Sequence, residues 1–261
     1  MKRLIYQVYL GKKSKLYDHC VASVAEYCKK HGIDHEVQRT PILMIKPDIF
    51  ATNRSKESYM KHGGFLPIYE KENAFNYLRT YDQVAIIDAD VWIRPDAPNI
   101  FDEVTDEYDF GGVVEREMPI TEQYRNKIAN YSRMQYSTLK SVDWKWNSSG
   151  AEFINMGVMV LNKRIAKYLN GETPKQFINR PRFKPFVDGI GAWKWSTDQT
   201  LLNTWIKEEK MNVKNLDFRW NGLYTGIKPE AVKEAHFVHF FLKDKLPNRG
   251  ENVEELMKAV Q

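Results

Sequence analysis

Short apolar runs alternate along this chain with segments whose apolar residues recur at helical spacing. The runs predict strands at Leu4 to Leu10, Asp34 to Arg39, Val84 to Ile87, Asp109 to Val114, Phe153 to Leu161 and Ala235 to Leu242. The periodic segments predict helices at Leu16 to Lys30, Glu72 to Tyr81, Lys163 to Leu169, Asp198 to Glu209 and Val253 to Val260. This alternation predicts an α/β fold. Because no repeat, low-complexity tract or linker interrupts it, we expect a single domain over residues 1–261.

Two places along this pattern need comment. Gly32 follows the first helix and is expected to end it. The stretch from Thr40 to Leu66 shows no clear period and contains several prolines and glycines, so it is either a mobile lid or a helix with an obscured pattern.

The apolar run Val84 to Ile87 stops at two aspartates, Asp88 and Asp90, with the small residue Ala89 between them. Such a run suits a strand that is buried on both faces, and α/β proteins bind ligands at the carboxyl ends of these strands. Residues two apart in extended backbone point to the same side, so both carboxylates can meet one cation. Two oxygen ligands suit Mg²⁺ or Mn²⁺ and leave positions open for phosphate oxygens. The alternative is a strand end that carries two solvated acids.

Composition narrows the class of protein. The chain is 43% hydrophobic and 13% aromatic, which is enough for a packed core. Its net charge of +5 is spread along the chain, so we expect no nucleic-acid partner. Cys20 and Cys28 lie two helical turns apart, too far for a disulfide. The sequence shows neither a membrane-spanning run nor a signal-type segment, so we expect a cytoplasmic protein.

Four segments in this order resemble one known family: YDQVAIIDADVWIRPDAPNIFD, FINMGVMVLNK, STDQTLLN and HFVHFFLKDK. Together they resemble the glycosyltransferases of GT-A fold, especially the retaining, glycogenin-like enzymes of glycosyltransferase family eight. The resemblance runs from the first strand to about Lys245. It implies a Rossmann-like, mixed and mostly parallel sheet flanked by helices. It also implies a metal-dependent hexosyltransferase-like enzyme that moves a sugar from a nucleotide-diphosphate sugar, a UDP-sugar, to a glycan or other hydroxyl acceptor with retention.

The resemblance assigns the cation site. Asp88 and Asp90 form the DxD motif that holds Mn²⁺, or Mg²⁺, against the diphosphate of the donor. A late histidine is the third ligand in the family, and His239 is the best match. His236 is its rival. The two histidines are an odd number of residues apart, so in a regular strand only one of them can face the metal.

The resemblance also assigns two lysines to the donor. Lys245 matches a family lysine that contacts the diphosphate, although Leu242 and Leu246 stand where the family pattern has glycine and proline. Lys71 lies at nearly the position of another lysine that reaches the donor. The alternative for each is a lysine without a role in the site.

Catalytic groups are expected on two segments. Asn155 stands at a strand end and, by the resemblance, helps to hold the donor sugar, while Gly157 allows close approach of backbone or ligand. Asp198 and Gln199 begin a helix, capped by Ser196 or Thr197, and the resemblance gives them positioning and charge-stabilising roles. An aspartate at that position is more often only a helix cap.

Aromatic residues complete the expected site. Val8, Tyr9 and Ala89 lie where the family binds the nucleotide, and Tyr9 and Tyr17 are candidates either to stack on the base or to pack in the core. Four tryptophans in loop-like segments offer rings for acceptor sugars or for packing: Trp144, Trp146, Trp193 and Trp195.

Two other functions stay open from the sequence. A sugar nucleotidyltransferase shares the layout and the metal, but it is expected to carry a glycine- and arginine-rich loop after the first strand, and GKKSK does not match. A catalytically inactive nucleotide or glycan binder of the same fold is the third hypothesis, since fold does not establish activity.

Overall fold

The computed structural model describes residues 1–48, 60 and 63–261, and a six-stranded sheet forms its centre. The strand order is β2-β1-β3-β6-β5-β7, and β6 runs antiparallel to its neighbours while the other pairings are parallel. The strands are β1 (Arg3–Val8), β2 (Asp34–Gln38), β3 (Gln83–Ile87), β4 (Val91–Ile93), β5 (Phe110–Val114), β6 (Ile154–Asn162), β7 (Val213–Asn215), β8 (Gly222–Leu223) and β9 (Phe237–His239). The predicted α/β fold with a mixed, mostly parallel sheet is confirmed.

Helices cover both faces of this sheet. The α-helices are α1 (Lys15–His31), α2 (Glu122–Tyr136), α3 (Pro174–Ile178), α4 (Lys184–Asp188), α5 (Asp198–Glu208), α6 (Pro229–Val232) and α7 (Val253–Val260). The 3₁₀ helices are Pro67–Arg79, Ile100–Glu103, Glu115–Glu117, Lys163–Leu169, Pro181–Phe183, Gly191–Trp195, Phe218–Asn221, Lys243–Lys245 and Pro247–Gly250. In the described part of the chain, every helix is too short or too polar to cross a membrane.

The central strands feed two separate cores because successive side chains point to opposite faces. Ile5 of β1 belongs to a core with α1 and α7, whereas its neighbours Leu4 and Tyr6 belong to a core with α5 and the Pro67–Arg79 helix. All five residues of β3 are buried. The prediction of a strand buried on both faces is confirmed.

Helix α1 ends as expected. Gly32 has φ 64° and its N–H donates to the carbonyl of Cys28, a conformation that glycine adopts without strain. Cys20 and Cys28 are both buried free thiols, so the prediction of no disulfide is confirmed.

Two predicted elements have different bounds. The predicted helix Glu72 to Tyr81 is a 3₁₀ helix that begins at Pro67. The four residues from Glu70 to Asn73 are all buried although they are polar or charged, so a pattern of apolar residues cannot reveal this start. The predicted strand Ala235 to Leu242 is a strand only over β9, and Leu242 near its predicted end adopts a left-handed φ of 60°. About half of the predicted irregular stretch, residues 49–59, 61 and 62, lies outside the described residues.

A second, three-stranded sheet of order β4-β9-β8 stands beside the first. Its register pairs Val91 with His239, and the N–H of Phe240 donates to the carbonyl of Asp90 over 2.9 Å. Because β4 begins directly after Asp90, this pairing brings His239 to the end of β3.

Candidate metal and donor site

Asp88, Asp90 and His239 meet at the carboxyl edge of the parallel strands. The Nε2 atom of His239 lies 3.3 Å from Oδ1 of Asp90 and 3.8 Å from Oδ2 of Asp88. One ligand atom from each residue can be chosen so that all three lie within 4.8 Å of one another. His236 instead packs its ring against Trp220, with the centroids 5.1 Å apart. The odd spacing of the two histidines thus separates them as expected.

A buried lysine joins this group to the start of α5. The ammonium of Lys71 donates to Asp88 Oδ1 over 2.8 Å and to the carbonyl of Met156 over 3.1 Å, and it lies 2.7 Å from Asp198 Oδ2. Lys71 is 6% exposed and Asp198 is 2% exposed. The structure therefore brings Lys71 and Asp198 together with the aspartate pair.

The buried charges shift each other's pKa. For Lys71, burial lowers the pKa, but the carboxylates of Asp198 and Asp88 more than offset burial and the pKa is raised. Burial raises the pKa of Asp88 despite the opposing charge of Lys71. For Asp90, the raising effect of burial is outweighed by His239, so its pKa is lowered. The pKa of His239 is raised, because Asp90 outweighs burial. The group holds three carboxylates against two basic side chains, an arrangement that attracts a cation.

Asn155 uses its amide within the protein. Its Nδ2 donates to Glu115 Oε2 over 2.8 Å, and its Oδ1 accepts from the backbone N–H of Gly157 over 3.0 Å and from Asn221 Nδ2 over 2.8 Å. Asn221 in turn contacts Nδ1 of His239 over 3.0 Å. Asn155 is therefore linked to His239 through one intervening side chain.

Gly157 leaves room for a side chain. A Cβ atom there would lie 2.3 Å from Cε1 of His239, so the absence of a side chain is what admits the imidazole ring.

Gln199 accepts from the N–H of Met156 over 3.3 Å and lies one residue after Asp198. The hydroxyl of Thr197 accepts from the N–H of Gln199, so Thr197 caps the helix.

Lys245 is exposed in the short helix that follows Leu242. The left-handed conformation of Leu242 is one that glycine, the residue of the resembled pattern, adopts more easily. Lys243, which the sequence did not single out, contacts an aromatic residue of the site. Its ammonium is 3.9 Å from the centroid of the Tyr17 ring and donates to Ser14 Oγ over 2.9 Å.

The residues expected at the base lie together. Tyr9 packs edge-on against Tyr17 with the centroids 5.3 Å apart, and it shares a small buried cluster with Ala89. The guanidinium of Arg39 lies 4.1 Å from the centroid of the Tyr9 ring. Val8, at the end of β1, is half-buried.

The four tryptophans have different environments. Trp144 is 2% exposed and stacks on Tyr136, with the centroids 4.2 Å apart, so it is a packing residue. Trp193 is partly buried and its Nε1 donates to the carbonyl of Gln135. Trp146 and Trp195 are 44% and 60% exposed.

Three residues near the site were missed from the sequence. Glu115 directly follows β5, the same position relative to its strand that Asp88 has after β3, so a positional signal existed. Tyr124 on α2 donates its hydroxyl to Glu115 Oε1 over 2.5 Å. Asn221 lies in a short helix before β8, and no sequence signal marks it.

A cavity of about 810 Å³ lies next to this site but does not include it. Its lining includes Ile154 of β6 and Asn203 of α5, but none of Asp88, Asp90 or His239.

Comparisons with known proteins find likeness in structure alone. No family model matches the chain, and no curated protein matches its sequence. The galactosyltransferase LgtC, in complex with donor and acceptor sugar analogues, superposes with a TM-score of 0.53 at 13% identity over 98% of this chain and 95% of that chain. An active-site mutant of LgtC gives 0.55 at 13% identity, with 98% and 94% covered. The bifunctional glycosyltransferase WbbM gives 0.52 at 13% identity over 92% of this chain, which spans 46% of that chain. The chain therefore has the α/β fold of the GT-A glycosyltransferases.

Proposed function

We propose that this chain is a metal-dependent glycosyltransferase that moves a sugar from a UDP-sugar to a hydroxyl group of a glycan or other acceptor. The observation that carries this proposal is the meeting of Asp88, Asp90 and His239 at the ligand-binding edge of the sheet. The fold likeness to LgtC, whose structure holds donor and acceptor sugar analogues, supports the two substrates. Retention at the anomeric carbon rests on the resemblance to glycosyltransferase family eight.

The side chains present fit a divalent cation. Two carboxylates and one imidazole nitrogen are a donor set that Mn²⁺ accepts, while Mg²⁺ prefers oxygen alone, so Mn²⁺ is the better match. We assign Asp88, Asp90 and His239 as its ligands. When bound, the cation neutralises the charge that grows on the diphosphate as it leaves.

The neighbouring residues hold the donor. Lys71 fixes the carboxylates of Asp88 and Asp198 relative to each other through two short ion pairs. We assign Asp198 and Gln199 to orient the sugar and to stabilise positive charge at the anomeric carbon. Asn155 supports this face of the site. Because Asp198 is buried and lies at the start of a helix, its position is rigid.

The nucleotide and its phosphates are assigned to the adjoining edge. Val8, Tyr9 and Ala89 lie where β1 and β3 end, beside the aspartate pair. The side chain of Lys245 is exposed and free of ion pairs with the described residues, so it is available to contact the diphosphate.

Trp195 is assigned to the acceptor. It is exposed and lies three residues before Asp198, and indole rings suit the CH faces of sugars. Trp195→Ala is expected to raise the KM for the acceptor without changing hydrolysis of the donor. Trp146→Ala is the matched control. An equal rise in the KM for the acceptor in both variants would refute the assignment of Trp195.

The first experiment is a thermal-shift screen of the purified protein with UDP, GDP, CDP and ADP, each with Mn²⁺ and with EDTA. A ligand that binds only the folded state raises the melting temperature. We expect a shift with UDP that requires Mn²⁺. Asp88→Asn, Asp90→Asn is expected to abolish the shift, while Asp102→Asn, at an exposed acid paired with Arg3, is expected to keep it.

Turnover then separates the enzyme from a binder. Release of UDP from UDP-sugars in the presence of Mn²⁺, lost in the double variant, is the expected result. A double variant that keeps full metal-dependent turnover would refute the proposal. Mn²⁺-dependent UDP binding without turnover against a broad panel of donors and acceptors would favour the inactive binder.

A further inference from the structure

We propose that Asn221 fixes the tautomer of His239, so that Nε2, the ring nitrogen that faces the two aspartates, carries no proton and can bind the cation. This inference rests on the proposed metal site. It stands on a chain of hydrogen bonds through four buried side chains: Glu115, Asn155, Asn221 and His239. Once the donor of one hydrogen bond in this series is known, the donor and acceptor of each following bond are fixed.

The series of hydrogen bonds starts at a backbone N–H, a group that can only donate. The backbone N–H of Gly157 donates to the side chain of Asn155 over 3.0 Å, so the Asn155 atom that it meets must be the oxygen. The other end of the same amide meets a carboxylate oxygen of Glu115 over 2.8 Å, which requires the nitrogen there. Both ends therefore give the same orientation for Asn155.

The orientation passes to the next side chain. Since Oδ1 of Asn155 is an acceptor, the Asn221 atom 2.8 Å away must be the donor, Nδ2. The oxygen of Asn221 then points to Nδ1 of His239, 3.0 Å away. An amide oxygen only accepts, so Nδ1 of His239 carries the proton. In the neutral ring this leaves a lone pair on Nε2.

This tautomer is the opposite of the one that the aspartates would select alone. Nε2 lies 3.3 Å from Asp90, within reach of a hydrogen bond, and a proton on Nε2 would be attracted by both carboxylates. Such a proton would occupy the ligand position. Asn221 is fully buried and so cannot exchange His239 for water. We therefore assign Asn221 as a positioning residue that keeps the ligand nitrogen available, in the way that partners of metal-bound histidines do.

The series of hydrogen bonds is also held in place at its other end, at Glu115. Tyr124 donates its hydroxyl to the second carboxylate oxygen of Glu115, so that both oxygens of the acid are engaged. The acid therefore holds Asn155 against a helix, and the hydrogen-bonded series joins α2 to β6, the Phe218–Asn221 helix and β9.

The first measurement needs no variant. The ¹⁵N chemical shifts of the His239 ring in the metal-free protein, at a pH where the ring is neutral, report which nitrogen carries the proton. We expect the Nδ1–H form in the wild-type protein and a shift toward Nε2–H in Asn221→Ala. A wild-type ring that carries its proton on Nε2 would overturn the inference.

The second measurement is Mn²⁺ affinity by isothermal titration calorimetry on the full chain. Asn221→Ala is expected to weaken Mn²⁺ binding by about 10–100-fold. The matched control is Asn162→Ala, which removes a buried asparagine with two hydrogen bonds at the other end of β6. It is expected to lose comparable stability and to bind Mn²⁺ like the wild type.

The outcomes distinguish the two proposals. Equal Mn²⁺ affinity of the wild type and a folded Asn221→Ala would refute the role of Asn221 while leaving the metal site intact. Absence of Mn²⁺ binding by the wild type would refute the metal site, and the ring tautomer would then still decide whether Asn221 controls His239. Equal losses in Asn221→Ala and Asn162→Ala would show a general effect of stability and would also refute the inference.

Discussion

Gly157→Ala tests whether the imidazole of His239 must lie where the structure has it. The added Cβ would come within 2.3 Å of Cε1 and 2.5 Å of Nδ1 of His239. To regain van der Waals separation the ring must move by about 1 Å. Metal ligands tolerate displacements of only about 0.2 Å, so the moved ring is lost to the cation. We expect Mn²⁺ affinity to fall by at least about 100-fold, as for a ligand that is removed.

The same change affects stability to a smaller degree. Overpacking of a buried site costs about 1–3 kcal/mol. Replacing a strand glycine by alanine returns roughly 0.5–1 kcal/mol through reduced backbone entropy of the unfolded chain. The net loss in the free energy of unfolding is therefore expected to be about 0–2.5 kcal/mol, which leaves the protein folded at 25 °C.

Gly111→Ala is the matched control. Gly111 lies inside β5, and a Cβ there would come within 2.4 Å of Cγ2 of Val104, an apolar contact that does not involve the metal site. Urea denaturation is expected to show similar losses for both variants. Calorimetry is expected to show weakened Mn²⁺ binding in Gly157→Ala only. Wild-type Mn²⁺ affinity in Gly157→Ala would refute the position of His239 or its role as a ligand.

Three further predictions concern residues around the site. Leu242→Gly is expected to raise the free energy of unfolding by roughly 0.5–1 kcal/mol in urea denaturation, because relief of the left-handed strain exceeds the entropy that glycine loses; a decrease would mean that packing of the leucine dominates. Lys71→Met is expected to cost about 3–5 kcal/mol in the same assay, since Asp88 and Asp198 lose their buried cation, and a loss under 1 kcal/mol would contradict the ion pairs. Glu72 is buried, neither carboxylate oxygen makes a hydrogen bond to another described residue, and burial raises its pKa well above 4.5. The folded state therefore keeps this proton while the unfolded chain releases it, so the free energy of unfolding of the wild type falls as pH rises above about 4.5. Glu72→Gln does not titrate, so its free energy of unfolding should increasingly exceed that of the wild type from pH 5 to pH 8. A difference between the two proteins that stays constant with pH would contradict the raised pKa.

Helices and strands that are encoded by a local sequence pattern were predictable. The strand before Asp88 and the strand Phe153 to Leu161 are continuous apolar runs, and their bounds agree with β3 and β6 to within one residue. The start of α5 was predictable because Thr197 is a cap followed by helical spacing. The start of the Pro67–Arg79 helix was not, because three of the buried residues in its first turns, Glu70, Lys71 and Glu72, are charged.

The site residues also differ in how far they could be predicted, and the difference depends on the sequence separation of the residues that meet there. The aspartate pair spans three residues and follows a strand, so its geometry is set locally. The choice of His239 over His236 needed only the two-residue period of a strand and the family pattern. Asn221 depends on the register of β8 against β9 and on the place of β9 beside β6, contacts that join residues up to 66 positions apart. No local pattern encodes such a register, and an asparagine in a short turn looks like any other turn residue. The proposed ligands of the cation are therefore marked by their own chemistry and strand position, whereas the residues proposed to orient them become visible only once the strands are assembled.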